Sequence, residues 1–206
     1  MKPNYTAQIL ICVLLVIATV GGASAQKLAR PRLLIGENDP FTGLTILRAR
    51  YANGMRPTDD IAGWSLSYLL TKDESFANRA LDEMRRTHPP EKVGSRTYMD
   101  YVRWSLAFDW LYEYREFDSA LKDRIANELL AAAERMFQDH ALADPSLTMY
   151  HNYTVRFLTL ASFALTAIQG HAATEPRAAA LRERAWRSLD NVLEVSQFVT
   201  PEGGYH

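Results

Sequence analysis

Cysteine is all but missing from this chain. The one cysteine, Cys12, lies in an N-terminal apolar run, 9–20, interrupted only by Thr19. A disulfide framework and a thiolate-based zinc site are thereby excluded. Histidine is sparse as well. His88, His140, His151, His171 and His206 are scattered, and no two stand at i, i+3 or i+4. No helical histidine pair is present to hold a metal, so neither a metal nor a cofactor is expected. Charge of one sign is also lacking: 23 Lys and Arg face 24 Asp and Glu, a net charge of −1. No global field draws nucleic acid, and any anion site has to be local. Period-two alternation of any length is absent, which leaves no signal for a sheet.

The N-terminus carries a processing pattern instead. Lys2 is followed by the apolar run, then by Gly21-Gly22-Ala23-Ser24-Ala25, whose last three residues fit a small-residue cleavage site. The run is too short to span a bilayer comfortably, so residues 1–25 are expected to be a cleavable secretory signal. Cys12 follows bulky Ile11 and should leave with it. The remaining domain, 26–206, has 181 residues and a net charge of −2, since the leader holds one lysine and no acid. That length supports one good core. The expected location is periplasmic or secreted, with no membrane attachment after cleavage.

What the chain has in abundance is helical periodicity. Asp39-Pro40 reads as a helix start, and Leu44, Leu47 and Tyr51 continue at helical spacing until Asn53-Gly54. Asp59-Asp60 opens an apolar helix over 61–71. Its amphipathic partner, 74–86, repeats Phe76, Ala77, Ala80, Leu81 and Met84 before Pro89-Pro90. A second apolar helix, 98–113, precedes a partner capped by Asp118 and lined by Leu121, Ile125, Leu129, Ala132, Ala133 and Met136. A third, 153–169, ends at Gly170 and returns through 177–196, with Leu181, Ala185, Leu189, Val192 and Leu193 facing inward. An apolar inner helix and an amphipathic outer one alternate three times. The expected fold class is all-α, built of repeated antiparallel helix pairs.

Tyr150-His151-Asn152-Tyr153 stands at the entrance of the third apolar helix, just after the loop-like Ala143-Asp144-Pro145-Ser146. Helix N-termini offer unpaired N–H groups and partial positive charge. An imidazole and an amide placed there could bind and neutralise a carboxylate. On the residues alone a plainer reading stands beside it, with Asn152 as a helix cap and His151 a surface or hydrogen-bonded core histidine. Trp64, Trp104 and Trp110 could line a sugar groove, or pack in the core beside Leu and Phe. Arg103 and Arg156 could contact a polyanion, or simply be solvated.

Several segments together resemble the N-terminal toroid of heparinase II/III-like and alginate-lyase-type polysaccharide lyases. Arg30-Pro31-Arg32-Leu33-Leu34 is similar to a lead-in usually written His-Pro-Arg-Leu-Leu. Tyr68-Leu69-Leu70-Thr71 resembles the end of a Y-L-L-T-G-D helix, with Lys72 in place of the glycine. Leu106-Ala107-Phe108-Asp109-Trp110-Leu111-Tyr112 resembles A-L-A-Y-D-W-L-Y-D. His151-Asn152-Tyr153 matches an H-N-W or H-N-Y segment, and Pro201-Glu202-Gly203-Gly204-Tyr205-His206 resembles D-G-G-Y-H-E-G. The likeness covers most of residues 26–206.

The resemblance implies β-elimination on a uronic-acid polysaccharide by part of an (α/α) toroid, incomplete here, with the rest of the toroid and a β-rich domain to follow. The fragment alone is then expected to be inactive. The catalytic residues it implies are His151, Asn152 and Tyr205, although the catalytic tyrosine of the pattern can also follow the last motif, beyond residue 206. Tyr153, Arg156 and Trp104 are expected to touch substrate. The partner implied is an anionic polysaccharide. Two alternatives remain. A glycoside hydrolase on the same kind of toroid needs two opposed carboxylates, and Asp100, Asp109 and Glu202 are the only candidates placed. The other is a non-catalytic helical-repeat module that binds sugar or protein.

Overall fold

The computed structural model describes residues 30–35, 43–94, 96–139 and 152–199, with side chains from 155 to 190 in the last stretch. Residues 1–25, the expected leader, and Asp39-Pro40, the expected helix start, lie outside them. Every regular element among the described residues is an α-helix: α1 Leu44–Ala52, α2 Ile61–Thr71, α3 Glu74–Arg86, α4 Tyr98–Leu111, α5 Ser119–Asp139, α6 Asn152–Ala167 and α7 Glu175–Val199. None of these is long and apolar enough to cross a membrane. The chain divides into two compact units, one from residues 1–88 and 103–122, the other from 89–102 and 123–206. Helices α4 and α5 each run from one unit into the other.

In the first unit the α2–α3 hairpin is fixed by its caps. The Asp60 carboxylate accepts from the Gly63 N–H at 2.9 Å, and Asp73 accepts from the Ser75 N–H at 2.9 Å. Gly63 is there for space: a Cβ would sit 1.8 Å from the Thr58 carbonyl oxygen. Ser65 and Ser67 are buried in α2 because each hydroxyl donates to the carbonyl four residues back, at 2.6 and 2.9 Å. Ala77, Ala80, Leu81 and Met84 of α3 form the expected stripe and are fully buried. The hairpin turns at Lys72, whose φ of 62° is left-handed. That is the position where the resembling segment has glycine, the residue that tolerates this backbone best. Helix α1 packs on α2 but buries none of its own side chains fully.

The lead-in 30–35 is bound to α4 of the same unit. Asp109 accepts from Arg30 Nη1 at 2.7 Å, from the Arg32 N–H at 2.6 Å and from the Leu33 N–H at 2.9 Å. The next residue, Trp110, donates from its indole Nε1 to the Leu33 carbonyl at 3.0 Å. The Arg30 guanidinium also lies 3.7 Å from the centre of the Tyr112 ring. The two charged side chains are 4 % and 0 % exposed. Burial pushes the Asp109 carboxyl up, opposed by the Arg30 charge and the two backbone N–H groups. Burial likewise lowers the Arg30 guanidinium, opposed by Asp109.

In the second unit α6 and α7 pack as a hairpin around a tight turn. Gly170 takes a φ of 75°, and its N–H donates to Glu175 Oε2 at 2.6 Å. His171 Nε2 lies 2.8 Å from Asp123 Oδ1, which ties the turn to α5. Helix α4 is fastened to α5 by the Tyr101 hydroxyl, which donates to the Leu129 carbonyl at 2.9 Å from a fully buried ring. From Phe157 onward α6 is buried almost all round, with Leu158, Ala161, Ala164 and Leu165 at 1 % exposure or less. It is an inner helix by this measure, and α7 shows only Ala178, Leu181, Ala185 and Leu189 buried along one side up to residue 190.

Two substitutions test these contacts. Asp109→Asn keeps the shape but leaves Arg30 buried without a countercharge. Unfolding free energy should fall by about 3–5 kcal/mol, read as a lower urea midpoint at unchanged slope. A loss under about 1 kcal/mol, the range of an exposed pair, would show that the buried pair does not hold the lead-in. Lys72→Gly should raise stability by about 0.5–1 kcal/mol, the left-handed penalty less the extra unfolded-state entropy of glycine. A drop in midpoint would mean that the Lys72 contact with the Tyr68 ring outweighs the backbone strain.

Candidate functional site

Helix α6 begins at Asn152, so Asn152-Tyr153 open this helix. Its composition changes sharply within two turns. Asn152, Tyr153, Thr154 and Arg156 crowd the head, and the buried apolar body follows from Phe157. Positions 152 and 156 are one turn apart and share a face by helical spacing. The head also carries the N-terminal N–H groups and the positive end of the macrodipole of a 16-residue helix. Anion binding is the chemistry that such an end favours.

Arg156 is half-buried, and its guanidinium carbon lies 5.3 Å from the centre of the Tyr98 ring. Tyr98 is the first residue of α4. The contact therefore joins the heads of two apolar helices 58 positions apart in sequence. Tyr98 was not singled out by spacing, since it reads as one more aromatic of an inner helix. The signal was nevertheless present. Two apolar helices separated by one outer helix run the same way, which sets the first residue of α4 beside the start of α6.

His151 and Tyr205, with the whole 201–206 turn, lie outside the described residues. The hairpin does constrain how the chain returns. Helix α7 has 25 residues against 16 in α6, so it comes level with Asn152 near residue 190. At 1.5 Å per residue it then continues about 13 Å further. The two helices are therefore not matched in length.

The tryptophans resolve by exposure. Trp104, expected to touch substrate, is 5 % exposed and belongs to the core of the first unit. Trp110 is 8 % exposed and engaged by Leu33. Trp64 is half-buried, with Arg79 4.2 Å from its ring centre and its indole N–H donated to Asp59 at 2.7 Å. Arg103 pairs with Asp60 at 3.0 Å. Among the carboxylates, Asp109 is fully occupied in its ion pair, whereas Asp100 is exposed.

Compared with known proteins, the chain matches no family model, no curated protein and no solved structure.

Proposed function

We propose that this chain is the N-terminal part of an exported lyase that cleaves a uronic-acid polysaccharide by β-elimination on an (α/α) toroid. The observation that carries this is the head of α6, where Asn152, Tyr153, Thr154 and Arg156 stand together in sequence at the start of a helix that is buried almost all round from Phe157 onward. Two further features support it. The lead-in and the Asp109 segment, separate pieces of the resemblance, are bound to each other through Asp109 and Trp110. The left-handed backbone at Lys72 is the one that the glycine of the resembling segment would supply.

The chemistry explains the residue types. A uronate C5 proton is hard to remove while the neighbouring carboxylate keeps its full charge. Donors from Asn152 and His151 to that carboxylate stabilise the enolate-like transition state. A tyrosine takes the C5 proton, the C4–O bond breaks, a C4=C5 double bond forms, and the departing oxygen receives a proton from a tyrosine or from His151. In the resembling pattern that tyrosine is Tyr205 or one that follows the last motif. Tyr153 and Arg156 would contact neighbouring parts of the anionic chain. The hydrolase alternative is weakened because Asp109 is locked in a buried pair and cannot face a substrate.

The test is absorbance near 235 nm, which reports the unsaturated product, measured with uronans on the whole gene product. Asn152→Ala should lower kcat by about 10²–10³ with a smaller change in KM, since carboxylate neutralisation matters most as charge develops. His151→Asn separates proton transfer from hydrogen bonding. Near-wild-type rates in both variants would remove these residues from the reaction. Sugar binding without any 235 nm product would favour a non-catalytic module.

A further inference from the structure

We infer that Tyr98 is a positioning residue of this site, which holds the Arg156 guanidinium in place to meet a carboxylate of an anionic sugar. The inference rests on the proposed uronan substrate and adds a residue that the sequence pattern did not supply. Its basis is the ring contact between the heads of α4 and α6, with the guanidinium carbon 5.3 Å from the ring centre. An arginine side chain is rotamer-rich, and fixing it during binding costs affinity. An arginine already lodged on an aromatic face has lost part of that freedom beforehand.

Tyr98 is suited to this because its own backbone is held from several directions. The Thr97 hydroxyl donates to the Lys92 carbonyl at 2.8 Å and accepts from the Gly94 N–H at 2.9 Å. The Tyr98 N–H donates to the Gly94 carbonyl at 3.0 Å. One turn on, buried Tyr101 bonds α4 to α5. The ring thus projects from a fixed helix start. Solvent reaches this end of α4, since the adjacent Met99 is 44 % exposed, so a ligand can approach it.

The experiment is a double-mutant cycle in the whole gene product, read by calorimetric binding of a defined oligouronate at low salt and by the 235 nm rate. Tyr98→Leu should weaken binding about two- to five-fold, the range of a partly exposed cation–π contact. KM should rise accordingly while kcat is unchanged. Tyr98→Phe, which keeps the ring, should bind like wild type. Arg156→Gln should weaken binding at least as much, and adding Tyr98→Leu to it should cause no further loss. A thermal midpoint of Tyr98→Leu that matches wild type separates positioning from damage to the fold.

The inference is overturned if Tyr98→Leu binds as wild type does, if Tyr98→Phe loses as much as Tyr98→Leu, if the two losses simply add, or if wild type shows no oligouronate binding. Binding that follows the cycle without any 235 nm product would remove the lyase reading and leave the role of Tyr98 standing.

Discussion

The lead-in at residues 30–35 depends on one buried carboxylate. A charge on a side chain that is 0 % exposed is costly unless it is paired and fully hydrogen-bonded. Asp109 meets that condition only when residues 30–33 wrap against α4, because one donor is the Arg30 side chain and two are backbone N–H groups of that segment. The lead-in has no regular structure of its own to satisfy those N–H groups. Each side of the contact therefore removes the other's unsatisfied polar groups, and neither would be stable in its place alone. Leu33 and Ile35 then lie in the core at 2 % and 5 % exposure.

The same accounting of polar groups covers several hydroxyls of the apolar helices, although Ser162 Oγ of α6 is buried with no hydrogen-bond partner. An apolar helix buried nearly all round has no outer face on which to place serine or threonine. In α2 the difficulty is met by returning the hydroxyls of Ser65 and Ser67 to the helix's own carbonyls. In α6 Thr159 does the same, donating to the Val155 carbonyl at 2.8 Å. The outer helix α3 needs no such device, because its polar residues face solvent around a narrow apolar stripe. At the start of α6, Arg156 is met differently, by the ring of Tyr98. That contact is what makes the start of α6 the place to look for chemistry.

Local signals in the sequence were enough to place most elements. Asp60 and Asp118 stood at expected helix starts, and each does accept from a backbone N–H there; Asp73, read as part of a helix end, caps α3 as well. The span of α2 matches the expected 61–71, because a capping aspartate and a chain reversal bracket it. The paired all-helical organisation was legible for the same reason, since 3.6-residue periodicity and caps are properties of a few neighbouring residues. The site was legible only in part. Asn152 was placed at a helix head by the change from polar to apolar residues. Tyr98 was not, because its role depends on which helix ends lie side by side.

The sequence by itself therefore determined the helical pairs, their caps, their buried stripes and the polar head of α6. All of these follow from periodicity and from hydrogen bonds that close within a turn or two. Tertiary structure alone decided which distant groups meet. It decided that Asp109 serves Arg30 and the backbone of residues 32 and 33, that Trp104 is enclosed, and that Tyr98 bears on Arg156. It also showed that α7 outruns α6 by nine residues, which periodicity near Ser196 could not fix. The reason is physical. A side chain's neighbours along the chain set its helix, whereas its partner, its burial and the cost of leaving its charge unpaired are set by segments that may lie some 80 residues away.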